Sequence, residues 1–224
     1  MSRGKQRERP LPGKRGHGIM NENQTERGRA MKITARAIKR GAAGLLLGAA
    51  LVLLWDWTAH PIELNMVTLP EQIAAFHNRE SEDWDPSEIT VYGGVSVGDR
   101  EYCLMEIGEY LGSVTLERGL TGRYKIEYLR YGDGGLRDAI VESEGKKYLL
   151  LGGRDLTARI ARMTVSIDGR SYELENPNPG DHFLLCTEID SRTEDNHIDR
   201  DRLAFYNKEG EDITELYDLN GGGL

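Results

Sequence analysis

The chain has 224 residues and a net charge of −8, but its two ends carry opposite charges. Residues 1–40 hold 12 Lys and Arg against 3 Asp and Glu, a net charge of +9. Residues 60–224 hold 17 Lys and Arg against 33 Asp and Glu, a net charge of −16. The basic part has almost no large apolar residue before Ile33, which excludes a folded core there.

The basic segment predicts a disordered cytoplasmic arm over residues 1–37. Such an arm is attracted to anionic lipid headgroups by about 1 kcal/mol for each basic residue held near the surface. The basic residues nearest the apolar segment are Lys32, Arg36, Lys39 and Arg40. Nucleic-acid binding by the Arg and Gly clusters is disfavoured because no aromatic side chain is interleaved for stacking. Translation could start at Met1, Met20 or Met31, since MKITARAIKRGAAGLLLG alone has the layout of an export signal.

Gly41 to Trp55 is the only long uncharged apolar run in the chain. As a helix it would span about 22 Å at roughly 1.5 Å per residue, which is short of the roughly 30 Å hydrocarbon core. The basic pair Lys39-Arg40 can snorkel at one end, and Trp55 and Trp57 suit the opposite interface. We therefore predict a single transmembrane helix over residues 38–59, through which the chain contacts the lipid bilayer.

The helix is predicted to be an uncleaved signal anchor. A signal-peptidase site needs small residues at alternate positions, whereas Trp57-Thr58-Ala59 places an indole there. A cleaved signal and a buried core helix are the alternatives. Because the excess Lys and Arg precede the helix, we expect a cytoplasmic N-terminus and an extracytoplasmic C-terminal domain at the cell membrane.

Beyond the helix, residues 60–87 predict a tether that contains a short helix at Pro70–His77. Residues 88–219 predict a mainly β extracytoplasmic domain, either an antiparallel β-sandwich or a partly open barrel, because turn signals separate about eight or nine short strands. Residues 220–224 predict a flexible C-terminus. The segment 103–116 fits a helix face or two strands equally well.

Several strands can be placed from alternation and turns. Tyr124–Tyr131 alternates, GDGG at 132–135 turns the chain, and 136–141 is expected to return as the partner strand of a hairpin. A second hairpin runs from 160–167 to 171–174 through Asp168-Gly169, with Met163, Val165 and Ile167 on one face. Further strands are predicted at 147–151, 183–189 and 203–206. In style the hairpins IDGRSYEL and YNKEGEDI resemble those of small β domains tethered outside bacterial membranes, a likeness that implies no site residue.

Two cysteines, Cys103 and Cys186, lie on the side of the chain expected to be exported, where a disulfide could form. An unstrained bridge closing so long a loop would stabilise the fold by about 4 to 5 kcal/mol. The strand phases favour the alternative, because Cys186 alternates with His182 and Leu184 rather than with Phe183. Each cysteine could then be a small apolar filler.

Two segments carry residues that catalysis or metal binding would need. Gly94-Val-Ser-Val-Gly98 matches G-x-S-x-G with Ser96 as nucleophile, but the charged, strand-like DREYCL follows where a nucleophile elbow requires a helix. The acidic loop at residues 190–201 gathers oxygen ligands that would suit calcium, although the calcium-loop pattern is absent and arginines offset the carboxylates. Its candidate ligands are Asp190, Glu194, Asp195, Asp199 and Asp201.

The function expected first is therefore a membrane-anchored, non-enzymatic module in binding, envelope assembly or sensing, without a cofactor and with an extracytoplasmic protein or ligand as partner. A small extracytoplasmic hydrolase that uses Ser96 or a metal at 190–201 is the first alternative. A transmembrane signalling protein that acts through its basic arm is the second.

Overall fold

The structure is a computed structural model that describes residues 22–79, 84–155, 157 and 159–217, with side chains from residue 38 onward. The chain divides into two compact units, Met1–Val52 and Leu53–Leu224. The first 21 residues of the predicted arm and the predicted flexible end at 220–224 lie outside the described residues.

Helix α1 runs from Glu22 to Ala59. Within it, the 22 residues Ile38–Ala59 are long and apolar enough to cross a membrane, and only 6% of this window is buried in the protein. The bounds match the predicted transmembrane segment. Residues 22–37 continue the same helix, while the disorder expected of the arm over 1–37 stays a prediction. Good helix formers dominate this stretch and no proline interrupts it, so an existing helix extends at much lower cost than a new helix starts.

Helix α2, Leu69–His77, confirms the predicted short helix. Pro70 lies in its first turn, where its missing N–H costs no hydrogen bond. Leu69, Ile73 and Ala74 are buried, and Ile62 forms an antiparallel bridge with Tyr124. Most of the predicted tether at 60–87 is therefore part of the folded domain, because its apolar side chains are spaced to cover a sheet.

Ten strands form three antiparallel sheets, and none of these sheets closes on itself within the described residues. Sheet 1 has the order β1-β2-β3-β4, with β1 Ile89–Val97, β2 Arg100–Ile107, β3 Tyr110–Arg118 and β4 Tyr124–Gly132. Sheet 2 has the order β5-β6-β9, with β5 Leu136–Ser143, β6 Lys146–Arg154 and β9 His182–Ile189. Sheet 3 has the order β10-β7-β8, with β7 Arg162–Ile167, β8 Arg170–Glu175 and β10 Leu203–Tyr206. Short 3-10 helices lie at Pro86–Glu88, Arg200–Arg202 and Thr214–Leu216.

The layers are held together by two hydrophobic cores. One core lies between α2 and sheet 1 and includes Ile73, Met105 and Val114. The other is shared by sheets 2 and 3 and includes Leu151 and Phe205. Sheets 1 and 2 also approach closely, since a Cβ at Gly152 would lie 3.0 Å from Leu104 Cδ1. The mainly β, antiparallel class predicted from the sequence is confirmed.

The strand positions were predicted better than their pairing. The β7–β8 hairpin is confirmed, with Met163, Val165 and Ile167 buried. The ambiguous segment 103–116 forms the β2–β3 hairpin. The predicted pairing of β4 with β5 is wrong: β4 pairs with β3, and β5 pairs with β6 in another sheet. The Gly-rich turn at 132–135 lets the chain leave sheet 1 instead of reversing within it.

Candidate functional site

A cleft of about 550 Å³ lies between sheets 1 and 2. Strands β2, β3 and β4 form one wall through Tyr102, Ser113, Thr115, Tyr128 and Arg130. Strand β5, through Arg137 and Asp138, and the segment after β9, through His197 and Arg200, form the other wall. The cleft exists because β4 and β5 are consecutive in the chain but belong to different sheets.

A β-bulge at Glu127 aims two side chains into the cleft. The register pairs Leu116 with Ile126 but Thr115 with Tyr128, so Glu127 is the extra residue of β4. The bulge lets Ile126 and Leu129, three positions apart, both pack in the core under α2. Tyr128 is thereby left on the cleft side, as is Arg130, whose guanidinium carbon lies 4.8 Å from the Tyr128 ring centroid.

The bulge is held by an ion pair across sheet 1. Arg100 donates from Nε to Glu127 Oε2 at 2.6 Å and from Nη2 to Glu127 Oε1 at 2.9 Å. This two-pronged contact lowers the pKa of Glu127, chiefly through the hydrogen bond from Arg100. The fork geometry of a guanidinium and a carboxylate fixes orientation as well as distance. The ion pair therefore fixes the bulge beside Tyr128 and Arg130, two residues that line the cleft.

Arg137 ties the β5 wall to sheet 1. Its guanidinium donates to the carbonyl of Leu111 at 2.7 Å, to that of Leu136 at 2.7 Å and to that of Gly132. These acceptors are neutral carbonyl oxygens, so the positive charge of Arg137 is not cancelled by them. Burial lowers the pKa of Arg137, and the nearby charges of Arg200 and Arg154 lower it further.

The one carboxylate that lines the cleft is already engaged. Asp138 Oδ2 accepts a hydrogen bond from Ile198 N at 3.0 Å and lies 3.2 Å from His197 Nδ1. Arg130, Arg137 and Arg200 thus face the cleft with a single aspartate among its lining residues. Like charges that gather in a partly desolvated site favour an anion there.

A second polar cluster joins sheets 1 and 2 next to the cleft. Glu106 accepts hydrogen bonds from Tyr92 Oη at 2.5 Å and from Arg154 Nε, and its Oε1 lies 3.1 Å from His182 Nε2. The rings of Tyr92 and His182 stack with centroids 3.6 Å apart. Burial, and then the Glu106 contact, raises the pKa of Tyr92 to about 12. We call this cluster the Glu106 lock. Its polar groups pair with one another, which is best explained by a role in holding sheets 1 and 2 together.

The end of α1 is bound to the turn between β3 and β4. Asp56 accepts hydrogen bonds from Leu120 N at 3.0 Å, Thr121 N at 2.7 Å and Thr121 Oγ1 at 2.7 Å. His60 Nδ1 lies 3.0 Å from Asp56 Oδ1. A Cβ at Gly119 would lie 2.5 Å from His60 Nδ1 and 2.6 Å from Asp56 Oδ1. We call the contacts of Asp56 and His60 with residues 119–121 the helix joint.

Ser96 does not lie in a nucleophile elbow. It is within strand β1, and its hydroxyl donates to Glu101 rather than meeting a histidine. A nucleophile elbow exposes its serine on a sharp turn between a strand and a helix, and a serine inside a strand is not exposed in this way. The G-x-S-x-G match is explained by the backbone instead, since Gly94 gives room to Glu101 and Gly98 has a positive φ of 63° in the turn after β1.

The candidate metal ligands of the acidic loop interact with separate partners and do not converge on one point. Asp190 pairs with Arg170 and Arg192, and Asp199 pairs with Arg202 at 3.1 Å. Asp195 interacts with Asp168, whose hydrogen bond and charge raise the pKa of Asp195. Glu194 and Asp201 do not form a metal site with these residues. No group of three His, Cys, Asp or Glu that could hold a metal occurs in the described part of the chain.

Both cysteines are free thiols in the structure. Cys103 belongs to the core under α2, whereas Cys186 lies near Tyr102, the neighbour of Cys103 on the opposite face of β2. Burial, followed by the charge of Glu101, raises the pKa of the Cys103 thiol to about 12. Burial also raises the pKa of Cys186. The disulfide is thus not formed in this structure.

Thiol labelling should distinguish free cysteines from a disulfide. In the folded protein at neutral pH we expect Cys103 to resist maleimide, because the thiolate is the reactive form and a thiol of high pKa forms little of it. Unfolding in denaturant without reductant should then expose two reactive thiols, counted by mass spectrometry. No labelling after unfolding, but two labels after reduction, would instead establish the disulfide.

Two groups of residues escaped the sequence analysis. Arg130 and Arg137 lie on strands of different sheets and Arg200 lies after β9, so only the tertiary fold brings them to one cleft and no local pattern marks them. Asp56 had a usable signal, since it is the one charged residue between Arg40 and Glu63. A carboxylate directly after an apolar helix requires a partner, but the sequence does not show that residues 120 and 121 supply it.

Comparisons with known proteins found no matching family model, no similar curated protein and no similar solved structure.

Proposed function

We propose that the protein is a single-pass membrane protein whose outer β domain binds an anionic ligand in the cleft between sheets 1 and 2. The ligand belongs to the class of small polyanions, or to an anionic segment of a larger partner, because the cleft is about 550 Å³.

One observation carries this proposal. The outer part of the chain, residues 60–224, has a net charge of −16, yet its cleft brings Arg130 and Arg137 together beside an aspartate that is already engaged. A concave site that keeps one sign of charge against low-dielectric walls focuses its field on a ligand of the opposite sign. Tyr102 and Tyr128 add flat apolar surface beside the charges, which suits a ligand with a ring or a planar group.

The helix joint supports a retained anchor. Asp56 is 2% exposed and accepts hydrogen bonds from Leu120 and Thr121. Cleavage after Ala59 would remove Asp56 and leave those two N–H donors without their acceptor. The basic residues before the helix support a cytoplasmic N-terminus and an outer β domain. We also propose that sheets 2 and 3, which share one core, form an open sandwich.

Thermal unfolding of the full chain in lipid nanodiscs, with pyrophosphate and citrate as probes, tests the anionic cleft. A ligand present at ten times its Kd stabilises the folded state by about 1.4 kcal/mol. For a domain of this size we expect an increase in Tm of about 3–6 °C. The substitution Arg130→Glu should abolish that increase, because it reverses an exposed charge in the cleft wall.

The matched control is Lys208→Glu. Lys208 is exposed in the turn after β10 and does not line the cleft, so the same change in net charge should leave the increase in Tm intact. If neither anion raises Tm, or if both variants lose the increase equally, the effect is one of overall charge and the cleft is not the site.

A further inference from the structure

The turn between β3 and β4 exposes a leucine beside the last turn of α1. Leu120 is 76% exposed, while its backbone N–H donates to Asp56 Oδ1 at 3.0 Å. Asp56 lies three residues before the end of the helix at Ala59. A large apolar side chain is thus held largely exposed at the final turn of the helix.

The length of the apolar segment places that turn at the edge of a bilayer. The 22 residues Ile38–Ala59 rise by about 33 Å at roughly 1.5 Å each, which covers a hydrocarbon core of about 30 Å. Its last turn therefore lies at the boundary between lipid tails and headgroups. The surrounding side chains match this boundary, since Trp57 is 53% exposed and indoles concentrate at that depth.

The positively charged side chain of Arg123 lies on the same surface as Trp57. The guanidinium carbon of Arg123 lies 4.4 Å from the centroid of the Trp57 ring. Arg123 also donates from Nε to His60 O at 3.1 Å and from Nη1 to Glu63 Oε1 at 2.7 Å. An exposed tryptophan stacked with an arginine is an arrangement expected where protein meets lipid headgroups.

The depth of Leu120 is set by backbone contacts and not by a loose loop. Gly119 N donates to Arg123 O at 2.7 Å, and Gly122 N donates to Gly119 O at 3.1 Å, which closes the turn. The Asp56 carboxylate then binds this turn through Leu120 and Thr121. Leu120 is consequently presented to the surroundings of the helix in one fixed position.

We infer that Leu120 inserts into the outer lipid interface beside α1, with Trp57 and Arg123 at the headgroup level, as a second membrane contact of the outer domain. The inference rests on the proposed membrane anchoring. Lipid is the occupant because the exposed leucine is held, through its backbone N–H, at the last turn of the apolar helix. The contact would hold the β3–β4 end of sheet 1 against the membrane.

Spin labelling of the full chain in phosphatidylcholine and phosphatidylglycerol vesicles tests the inference. A nitroxide is attached at Leu120→Cys or, as a matched control, at Lys208→Cys, both in a Cys186→Ser background. The buried Cys103, with a pKa near 12, should not react. We expect the ratio of oxygen to nickel-chelate accessibility to be at least about threefold higher at 120 than at 208, since oxygen enriches in lipid and the chelate stays in water.

Vesicle flotation of the same samples separates the two levels of the proposal. If the chain floats but the two positions give equal ratios, the leucine contact is overturned while the anchor stands. If the chain does not float with the vesicles, the anchor and the leucine contact are both overturned.

Discussion

The substitution Gly119→Ala is expected to destabilise the β domain by about 1–3 kcal/mol, because a side chain cannot be added to a packed contact without displacing its neighbours. The new Cβ would lie 2.5 Å from His60 Nδ1 and 2.6 Å from Asp56 Oδ1. Both side chains are short and bound to each other, so neither can move without loosening the helix joint. Calorimetry of the full chain in nanodiscs should show Tm lowered by about 2–12 °C.

Gly180→Ala is the matched control for this experiment. No atom lies within 4 Å of a Cβ at Gly180, so the same substitution should leave Tm nearly unchanged. Equal midpoints for the two variants would show that the turn at 119–121 does not hold the end of α1 closely in solution.

The second large effect concerns the Glu106 lock. Burial raises the pKa of Glu106, but hydrogen bonds from Tyr92, Arg154 and His182 outweigh burial, so the net pKa lies below its ordinary value of 4.5. Glu106→Gln keeps the shape and removes the charge that Arg154 requires. Because hydrogen bonds to a charged group contribute about 1.5–3 kcal/mol, we expect a loss of about 2 kcal/mol in the free energy of unfolding.

The pH dependence of stability provides an independent test of the lock. A carboxyl group whose pKa is lowered by folding stabilises the protein above its unfolded pKa, here 4.5, and loses that effect as the pH falls through the folded value. The wild-type protein should thus lose stability between about pH 5 and pH 3, and Glu106→Gln should lose less. Urea unfolding at a series of pH values measures both profiles.

Glu209→Gln serves as the control, since Glu209 is exposed in the turn after β10. Its profile should follow that of the wild type. A Glu106→Gln profile that is parallel to the wild type across the acid range would show that Glu106 is not the group responsible.

Local patterns predicted the positions of most elements in this chain. The apolar run after Arg40, the proline in the first turn of α2 and the Asp168-Gly169 turn each act through a few neighbouring residues. Pairing between strands is a different matter, because it depends on contacts distant in sequence. A turn rich in glycine, such as 132–135, is equally compatible with a hairpin and with a crossing to another sheet, and the sequence analysis selected the wrong one.

The candidate site could not be predicted for the same reason. Arg130 and Arg200 are 70 positions apart, and only the tertiary fold places both along one cleft. The alternation of Tyr124–Tyr131 was also interpreted as regular. The apolar residues Ile126 and Leu129 are three apart, which does not fit a period of two, and this mismatch was the available signal of a bulge.

Because of the bulge at Glu127, the effect of deleting one residue from strand β4 depends on which residue is deleted. Loss of the single codon for Glu127 would leave Ile126 and Leu129 facing the core and Tyr128 facing the cleft, because the extra residue has no partner on β3. Loss of the codon for Ile126 or for Tyr128 would instead move Glu127 into the core or cleft position of the deleted side chain, while the later residues keep their partners on β3. A strand that is one residue shorter could therefore keep its pairing, but only loss of Glu127 itself would leave both the core and the cleft side chains in place.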